Sequence, residues 1–236
     1  MPASSADREQ PVVIETLGPT AQGFSFALEK YQGRLQLRAL HRPDYGPIYA
    51  DWLSREMRDR TLAGRNQLLA RAIGLKKKQN LEVLDCTGGL GRDGFILAAL
   101  GAEVLMTERQ PFIFELLHDA HQRALTSASS MASAQRLEVR LCDAIDVIHL
   151  RRWDAIYLDP MFGNKGRTAL PQKEMQVLQD LAEGPEDAAH LLQTSISSGA
   201  SRVVVKRSLT AQYLNGLKPT LEFRGTKTRF DVYLNT

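Results

Sequence analysis

The sequence predicts an α/β protein: a mostly parallel, twisted sheet with helices on both faces, closed by an antiparallel hairpin. Three observations predict this fold class. From Leu81 onward, short strand patterns alternate with helical patterns. The first strand runs into a glycine-rich turn that leads directly into a helix. The last two strand patterns follow each other with no helix between them, which is typical of an antiparallel pair.

A small basic α+β extension precedes this alternation, and the composition changes at about residue 78. Between Lys30 and Lys78 there are twelve Lys or Arg and four Asp or Glu residues, a local net charge of +8; the other 18 basic and 23 acidic residues give −5. We therefore expect an N-terminal hairpin-and-helix unit at residues 1–78 and the α/β domain at residues 79–236. Such a basic extension favours a polyanionic partner, although arginines on a solvated helix would give the same pattern.

The composition excludes several classes of protein. Hydrophobic residues make up 43% and charged residues 24% of the 236 residues, as in ordinary globular proteins. The apolar runs are too short for a membrane span, and the first ten residues lack the features of a signal peptide. The two cysteines, Cys86 and Cys142, are too few for a disulfide framework. We expect a cytoplasmic protein without a membrane partner.

The elements are predicted in chain order. Apolar and polar residues alternate over Gly23–Leu40 around a Gln32-Gly33 turn, which predicts a β-hairpin. Residues 54–73 predict a helix that carries most of the arginines and ends at Gly74. The strands of the α/β domain are predicted at residues 81–86, 102–108, 136–143, 154–159, 201–207, 221–225 and 229–235. Its helices are predicted at residues 92–100, 111–125, 144–150, 173–181 and 188–198.

The strongest motif is VLDCTGGLGRDGF, residues 83–95. Glycines allow the close turn after the strand, and the free N–H groups at the start of the next helix can face a ligand. Gly89 and Gly91 belong to this turn. The next predicted strand ends in Glu108, a carboxylate that can accept hydrogen bonds from both hydroxyls of a ribose. Together these features predict an adenosine site, in preference to a purely structural tight turn.

The adenosine could belong to a dinucleotide or to S-adenosylmethionine. Asp85 and Asp93 lie on either side of the glycines, and only Arg92 is near enough in sequence to offset them. Two carboxylates suit a ligand that carries an ammonium and a sulfonium group, whereas they repel a pyrophosphate. The charges therefore favour S-adenosylmethionine.

The second motif is Asp159-Pro160-Met161-Phe162, at the end of the fourth strand of the alternation. Ligands of such sheets lie beyond the carboxyl ends of the strands, so Asp159 should face the same crevice as Glu108. Proline lacks an N–H group, so the corner offers acceptors to an exocyclic amine, and Phe162 can stack on its ring. Asp159, Pro160 and Phe162 are thus the candidate catalytic residues, although an isolated motif of this kind could be a capped turn beside the core.

Other polar residues fall on the same predicted edge. Asp143 and Asp146 could bind an adenine amino group or cap a helix. His118 and His121 lie three residues apart on a helix without an apparent third ligand, so we expect a solvated helix face and no metal. Five cations could hold RNA phosphates around an extruded base, or could be ordinary surface residues: Lys165, Arg167, Lys173, Lys206 and Arg207.

With these residues in view, the chain resembles a known family over nearly its whole length. The segments LDCTGGLGRDGF, TERQP and YLDPMF, with the later KRSL and RFDVYL, are similar to bacterial ribosomal RNA small subunit methyltransferase J. The resemblance implies a Rossmann-like class I methyltransferase fold and transfer of a methyl group from S-adenosylmethionine to the exocyclic N2 of one guanine in 16S ribosomal RNA. It also implies cofactor contacts at Arg92, Asp93, Glu108, Arg109, Ile145, Asp146 and Asp159.

The residues by themselves leave other functions open. They indicate an exocyclic amine on a planar group, so that an adenine or a glutamine amide would fit as well as a guanine. The glycine loop also fits a nicotinamide-dependent oxidoreductase, which would leave the Asp159 motif unexplained. A non-catalytic RNA-binding or ribosome assembly factor could retain the same fold. A binding titration with both cofactors distinguishes the methyltransferase from the oxidoreductase, and methyl incorporation into RNA distinguishes it from the non-catalytic factor.

Overall fold

The computed structural model describes residues 10–78, 80–160, 173–181 and 188–235. Its strands are β1 Val12–Leu17, β2 Phe26–Tyr31, β3 Arg34–Ala39, β4 Glu82–Asp85, β5 Glu103–Glu108, β6 Leu137–Leu141, β7 Ala155–Leu158, β8 Arg202–Ser208, β9 Leu221–Arg224 and β10 Thr228–Leu234. Its α-helices are α1 Arg55–Leu62, α2 Leu68–Ile73, α3 Arg92–Ala99, α4 Pro111–Thr126, α5 Met131–Ala134, α6 Ile145–Ile148, α7 Lys173–Leu181 and α8 Ala188–Ser197. Within these ranges, no helix combines the length and apolar character that a bilayer crossing demands.

Seven strands form the main sheet in the order β6-β5-β4-β7-β8-β10-β9. The first five strands in this order, β6, β5, β4, β7 and β8, are parallel, and β10 runs antiparallel between β8 and β9. The predicted α/β class and the antiparallel closing pair are therefore confirmed. The connections diverge at β4, which has β5 on one side and β7 on the other, and ligands bind at such a switch point.

The N-terminal extension forms a separate antiparallel sheet in the order β1-β2-β3. Gln32 and Gly33 join β2 to β3 with φ angles of 48° and 75°, the left-handed pair that a two-residue hairpin turn requires. The predicted hairpin is confirmed. The third strand, β1, was not predicted, because its side chains are mostly exposed and it carries little of the alternation that marks a half-buried strand.

The helix predicted at residues 54–73 is interrupted. It divides into α1 and α2, which are separated by a 3₁₀ turn at Gly64–Asn66. Gly64 has a φ of +66°, and Gln67 has extended backbone angles of −62° and 152°, so the α-helical hydrogen-bond ladder cannot continue through them. The predicted end at Gly74 is confirmed by its left-handed φ of 99°.

The extension and the α/β domain share one hydrophobic core. Trp52 is 1% exposed, stacks on Phe95 with ring centroids 5.1 Å apart, and donates its indole N–H to the carbonyl oxygen of Leu90 at 2.9 Å. The two units predicted from composition are therefore in close contact at the glycine loop. The boundary at residue 78 stays a prediction about how the chain is organised.

His121 differs from its expected place on a solvated helix face. It is 8% exposed, and its Nε2 lies 2.9 Å from the carbonyl oxygen of Ala134. It therefore packs as a core histidine. In the part of the chain that the structure describes, no three His, Cys, Asp or Glu side chains group as a metal site.

Candidate active site

Carboxylates collect at the carboxyl edge of the sheet, as the strand pattern predicted. Asp85 ends β4 and Glu108 ends β5, while Asp143 and Asp159 follow β6 and β7 closely. Because these four strands are parallel neighbours, their ends meet at the same edge. β8 adds Lys206 at this edge, next to β7.

An open cleft of about 170 Å³ lies along this edge between β4, β5 and β6. Four of the residues predicted to bind the cofactor or its adenine line it: Glu108, Arg109, Asp143 and Ile145. Seven residues that the sequence analysis did not assign complete the lining: Cys86, Thr87, Thr107, Cys142, Ala144, Ala188 and Leu191. Most of these are small or apolar side chains, which have no chemical signature in a sequence.

Glu108 joins the glycine loop to β5. Its Oε2 accepts a hydrogen bond from the Gly89 N–H at 2.9 Å, and its Oε1 accepts one from the Gln110 N–H at 2.8 Å. Burial raises the pKa of Glu108, and these backbone donors partly oppose that effect. The loop is therefore held by the same carboxylate that faces the cleft.

Two glycines of this region are required by packing: Gly91 in the loop and Gly94 in α3. A Cβ on Gly91, whose φ is +71°, would lie 2.4 Å from the Trp52 ring and 2.5 Å from Leu117. A Cβ on Gly94 would lie 2.3 Å from the Met106 sulfur. The missing side chain of Gly91 thus makes room for Trp52, and its contact with a cofactor stays a prediction; Gly89 has a positive φ of +52° with only a backbone oxygen near its Cβ position.

Asp85 is placed beneath the loop, not in the cleft. It is 2% exposed, and its Oδ1 accepts a hydrogen bond from the Thr87 N–H at 3.0 Å. Burial, together with the nearby Asp93 and Asp159 carboxylates, raises its pKa from 3.8 to about 7, against the effect of the Thr87 hydrogen bond. In this position Asp85 shapes the turn, and its direct contact with the cofactor stays a prediction.

Asp159 lies next to the cleft. Its backbone N–H donates to the hydroxyl oxygen of Thr87, a cleft residue, at 2.7 Å, and Pro160 follows it. Lys206 donates from Nζ to Asp159 Oδ2 at 2.7 Å. The Asp159 side chain is 38% exposed, so that it remains open to a substrate. Within the described residues, its Oδ1 accepts no hydrogen bond.

Lys206 lies between two carboxylates. It also donates to Asp93 Oδ2 at 2.8 Å, and the Tyr157 hydroxyl donates to that same oxygen at 2.6 Å. The guanidinium of Arg60, from α1, pairs with the other oxygen of Asp93. Burial alone would raise the pKa of Asp93, but Lys206 and Arg60 hold it well below its usual range.

These contacts correct the predicted role of Lys206 and Arg207. Lys206 was expected at the rim as a phosphate clamp, but the structure pairs its charge with Asp93 and Asp159, inside the site. Arg207 is 8% exposed and donates to the carbonyl oxygen of Gln212 at 3.1 Å. Successive residues of a strand face opposite sides of the sheet, so Arg207 points away from Lys206 and is no surface cation.

Arg92, Asp146 and Lys173 also differ from expectation. Arg92 forms two hydrogen bonds of 2.8 Å with Glu174 of α7, and Asp146 is exposed on α6; neither lines the cleft. Lys173 is 61% exposed and lies 3.2 Å from the carbonyl oxygen of Asp44. Contacts of Arg92, Asp93 and Asp146 with a cofactor, and of Lys173 with RNA, stay predictions. Phe162, Lys165 and Arg167 lie outside the described residues.

The cleft fits the adenosine part of S-adenosylmethionine. The Glu108 carboxylate lies where it can accept from ribose hydroxyls, and Ala144, Ile145 and Leu191 offer an apolar wall for a base. Asp159 lies next to this cleft, because its backbone N–H donates to the hydroxyl of Thr87, which lines it. An amine placed at Asp159 would therefore lie beside a ligand held in the cleft.

Comparisons with known proteins agree with this geometry and do not favour the nicotinamide-dependent alternative. A protein-family model described as putative SAM-dependent methyltransferase matches residues 15–235. Ribosomal RNA small subunit methyltransferase J of Coxiella burnetii is 37% identical over 98% of this chain and 91% of its own, and that of Tolumonas auensis is 39% identical over 89% and 86%. A SAM-dependent methyltransferase of Neisseria gonorrhoeae superposes with a TM-score of 0.68 at 28% identity, over 88% of this chain and 81% of its own. This protein belongs to the ribosomal RNA small subunit methyltransferase J family of S-adenosylmethionine-dependent methyltransferases.

Proposed function

We propose that this protein transfers a methyl group from S-adenosylmethionine to the exocyclic N2 of a guanine in 16S ribosomal RNA. The relatives are named for the RNA of the small ribosomal subunit, which supports the class of substrate. The motif around Asp159 supports an exocyclic amine as the acceptor. The choice of guanine N2 comes from the family resemblance of the sequence.

One observation carries the proposal: the position of Asp159. Its backbone is hydrogen-bonded to Thr87 of the cleft, and Lys206 fixes only one of its carboxylate oxygens. The other oxygen can accept a hydrogen bond from the amine. S-adenosylmethionine, when bound, supplies a methyl group made electrophilic by its positively charged sulfur.

Asp159 assists the amine in two ways. The lone pair of an aromatic amine is delocalised into its ring, and an acceptor on the N–H group favours the more cationic nitrogen of the transition state. S-adenosylmethionine held in the cleft beside Glu108 would supply the methyl group to this nitrogen, and its sulfur would keep the electron pair of the broken carbon–sulfur bond. The amine then releases one proton, which Asp159 or water takes up.

Lys206 keeps Asp159 ready for this task. Burial and the Asp93 charge raise the pKa of Asp159, whereas the ammonium of Lys206 opposes this and favours the ionised carboxylate. Asp93 fixes Lys206 in turn and is itself held by Tyr157 and Arg60. The cation that was expected at the RNA surface therefore acts on the catalytic carboxylate.

The exposed part of the extension is the proposed RNA-binding surface. Arg55 and Arg58 are both exposed on α1: Arg55 is 89% exposed with a loose 3.8 Å contact to Asp59, and Arg58 donates to the carbonyl oxygen of Leu53 at 2.7 Å. Arg60 and Arg65 of the same region are occupied by Asp93 and by the carbonyl oxygen of Leu100. We expect phosphate contacts from the exposed pair.

The test is transfer of a radiolabelled methyl group to small ribosomal subunits that lack the modification. Asp159→Asn should lower kcat by at least about 100-fold while the affinity for S-adenosylmethionine changes by less than about threefold, because the carboxylate acts on the amine. Asp154→Asn, at the opposite end of β7, is the matched control and should keep its activity. Mass mapping of the product should place the label on guanine N2.

Two results would overturn the proposal. Full activity of Asp159→Asn would remove this residue from catalysis. A wild-type protein that binds ribosomal RNA without transferring any label would make it a non-catalytic binding factor.

A further inference from the structure

The N-terminal sheet carries a second groove, on the face that points away from the core. It has a volume of about 370 Å³ and is lined by Tyr31, Arg34, Gln36, Arg38 and Pro47, with Gln10 and Pro11 at its end. We call it the outer groove. It shares no lining residue with the cleft at Glu108.

The strand pattern shows that the outer groove is built from polar residues. Leu28 pairs with Leu37 on the core face, and Glu29 pairs with Gln36 on the outer face. Outer-face polar residues are usually solvated, yet Glu29 is 5% exposed and Gln36 is 1% exposed. Burial of such groups requires partners, and the sheet supplies most of them.

Glu29 orients the amide of Gln36. Arg38 donates to both Glu29 oxygens at 2.9 and 3.1 Å, and Gln36 Nε2 donates to Glu29 Oε2 at 2.8 Å. A carboxylate can only accept, so the amide nitrogen must face Glu29 and Gln36 Oε1 must face away from it. Burial would raise the pKa of Glu29, but the hydrogen bonds from Arg38 and Gln36 hold it below its ordinary value.

Two polar atoms of the outer groove have no hydrogen-bond partner among the described residues: Gln36 Oε1, an acceptor, and Arg34 Nε, a donor. Leaving buried groups of this kind unpaired is unfavourable, so their retention points to a ligand that pairs with them. They stand two residues apart on one face of β3. A ligand that carries one donor and one acceptor, as the edge of a nucleobase does, would satisfy both atoms.

The surroundings favour a nucleotide over an uncharged ligand. The Arg34 guanidinium lies over the Tyr49 ring with its central carbon 3.6 Å from the centroid, which makes a flat platform of the kind on which bases stack. Among the described residues, no carboxylate pairs with Arg34. The groove also belongs to the segment from Lys30 to Lys78, whose net charge is +8.

We propose that the outer groove binds one unstacked nucleotide of the RNA substrate, with Gln36 and Arg34 contacting the edge of its base. This rests on the proposed function for the presence of an RNA substrate. The groove would then contribute to sequence preference at a site remote from the methylated base.

The test is binding of fluorescein-labelled octaribonucleotides of A, C or U to the full chain without S-adenosylmethionine. The wild type should prefer one oligomer by at least about fivefold, since a pair of hydrogen bonds to a base edge discriminates by about that much or more. Gln36→Leu should reduce this preference to less than about twofold, and Arg34→Gln should weaken binding of the preferred oligomer. Gln135→Leu, at an exposed glutamine that follows α5, is the matched control and should behave as wild type.

A second measurement does not depend on the folding of a variant. Photo-crosslinking of a 4-thiouridine-containing oligomer to the wild type should label the peptide that spans residues 31–38. Equal binding of the three oligomers by the wild type, an unchanged preference in Gln36→Leu, or crosslinks only outside the groove would overturn the proposal. The proposal would also be overturned if the wild type were a dimer that the Gln36→Leu substitution dissociates, because the groove would then bind a second copy of this chain. Methyl transfer plays no part in these experiments, so their failure leaves the proposed function intact.

Discussion

Asp85 gives a prediction whose magnitude follows from the structure. Its folded-state pKa is raised from 3.8 to about 7 because it is buried near two other carboxylates. The folded protein therefore holds this proton more tightly than the unfolded chain. As the pH rises through the interval between these values, the unfolded chain releases the proton first, and Asp85 lowers the free energy of unfolding by about 1.4 kcal/mol per pH unit.

Asp85→Asn removes this pH dependence and keeps an acceptor for the Thr87 N–H group. Between pH 5 and pH 8 the variant should gain about 3 kcal/mol of stability relative to wild type, most of it below pH 7. Urea unfolding followed by circular dichroism, at several pH values and without cofactor, measures the difference.

Asp154→Asn is the control with the opposite sign. Burial would raise the pKa of Asp154, but Lys78 at 2.7 Å and the Glu82 N–H at 3.0 Å hold it below its ordinary value. Its contribution to stability is therefore complete above the unfolded-state pKa and is lost only at lower pH. This variant should be less stable than wild type by the same amount from pH 5 to pH 8. A difference for Asp85→Asn that is equally flat would refute the burial argument.

Two further predictions concern Lys206 and the exposed arginines. Lys206→Met should lower kcat by about 10- to 100-fold, because Asp159 loses a charge-assisted hydrogen bond; it should also move the acidic limb of the kcat–pH profile to higher pH, since the pKa of Asp159 rises without the cation. Partial rescue by Lys206→Arg is expected, and an unmoved pH profile would make Lys206 merely structural. Replacing Arg55 and Arg58 with Gln should raise KM for the RNA and reduce the slope of log affinity against log salt by about 0.7–0.9 for each phosphate that the variant no longer binds. Arg224→Gln, on the distant edge strand β9, is the control, and an equal salt slope in both variants would show that α1 is only solvated.

Much of the fold could be predicted because its signals are local. The Gln32-Gly33 turn, the strand–glycine–helix motif and the alternation of strands and helices each lie within a short window of sequence. The break between α1 and α2 was missed, since Gly64 and Gln67 interrupt a helical pattern that otherwise continues to Ile73.

The candidate site was predicted as a set of residues but not as a set of contacts. The ends of parallel strands must meet at one edge, which placed Glu108 and Asp159 together. The pairing of Lys206 with Asp93 joins residues 113 positions apart, and no local pattern encodes it. Lys206 was expected at the RNA surface because a lysine at the end of a strand has the same sequence pattern whether it binds a phosphate or pairs with carboxylates such as Asp93 and Asp159.

The indole of Trp52 has a consequence for how this protein can be divided. It fills the space beside Gly91 that a chain starting at residue 79 would leave open, and that shorter chain would also separate Asp93 from Arg60. The N-terminal unit is therefore not a separable RNA-binding module. It packs against the glycine loop through Trp52 and pairs with Asp93 through Arg60, so a change in this unit can alter the active site.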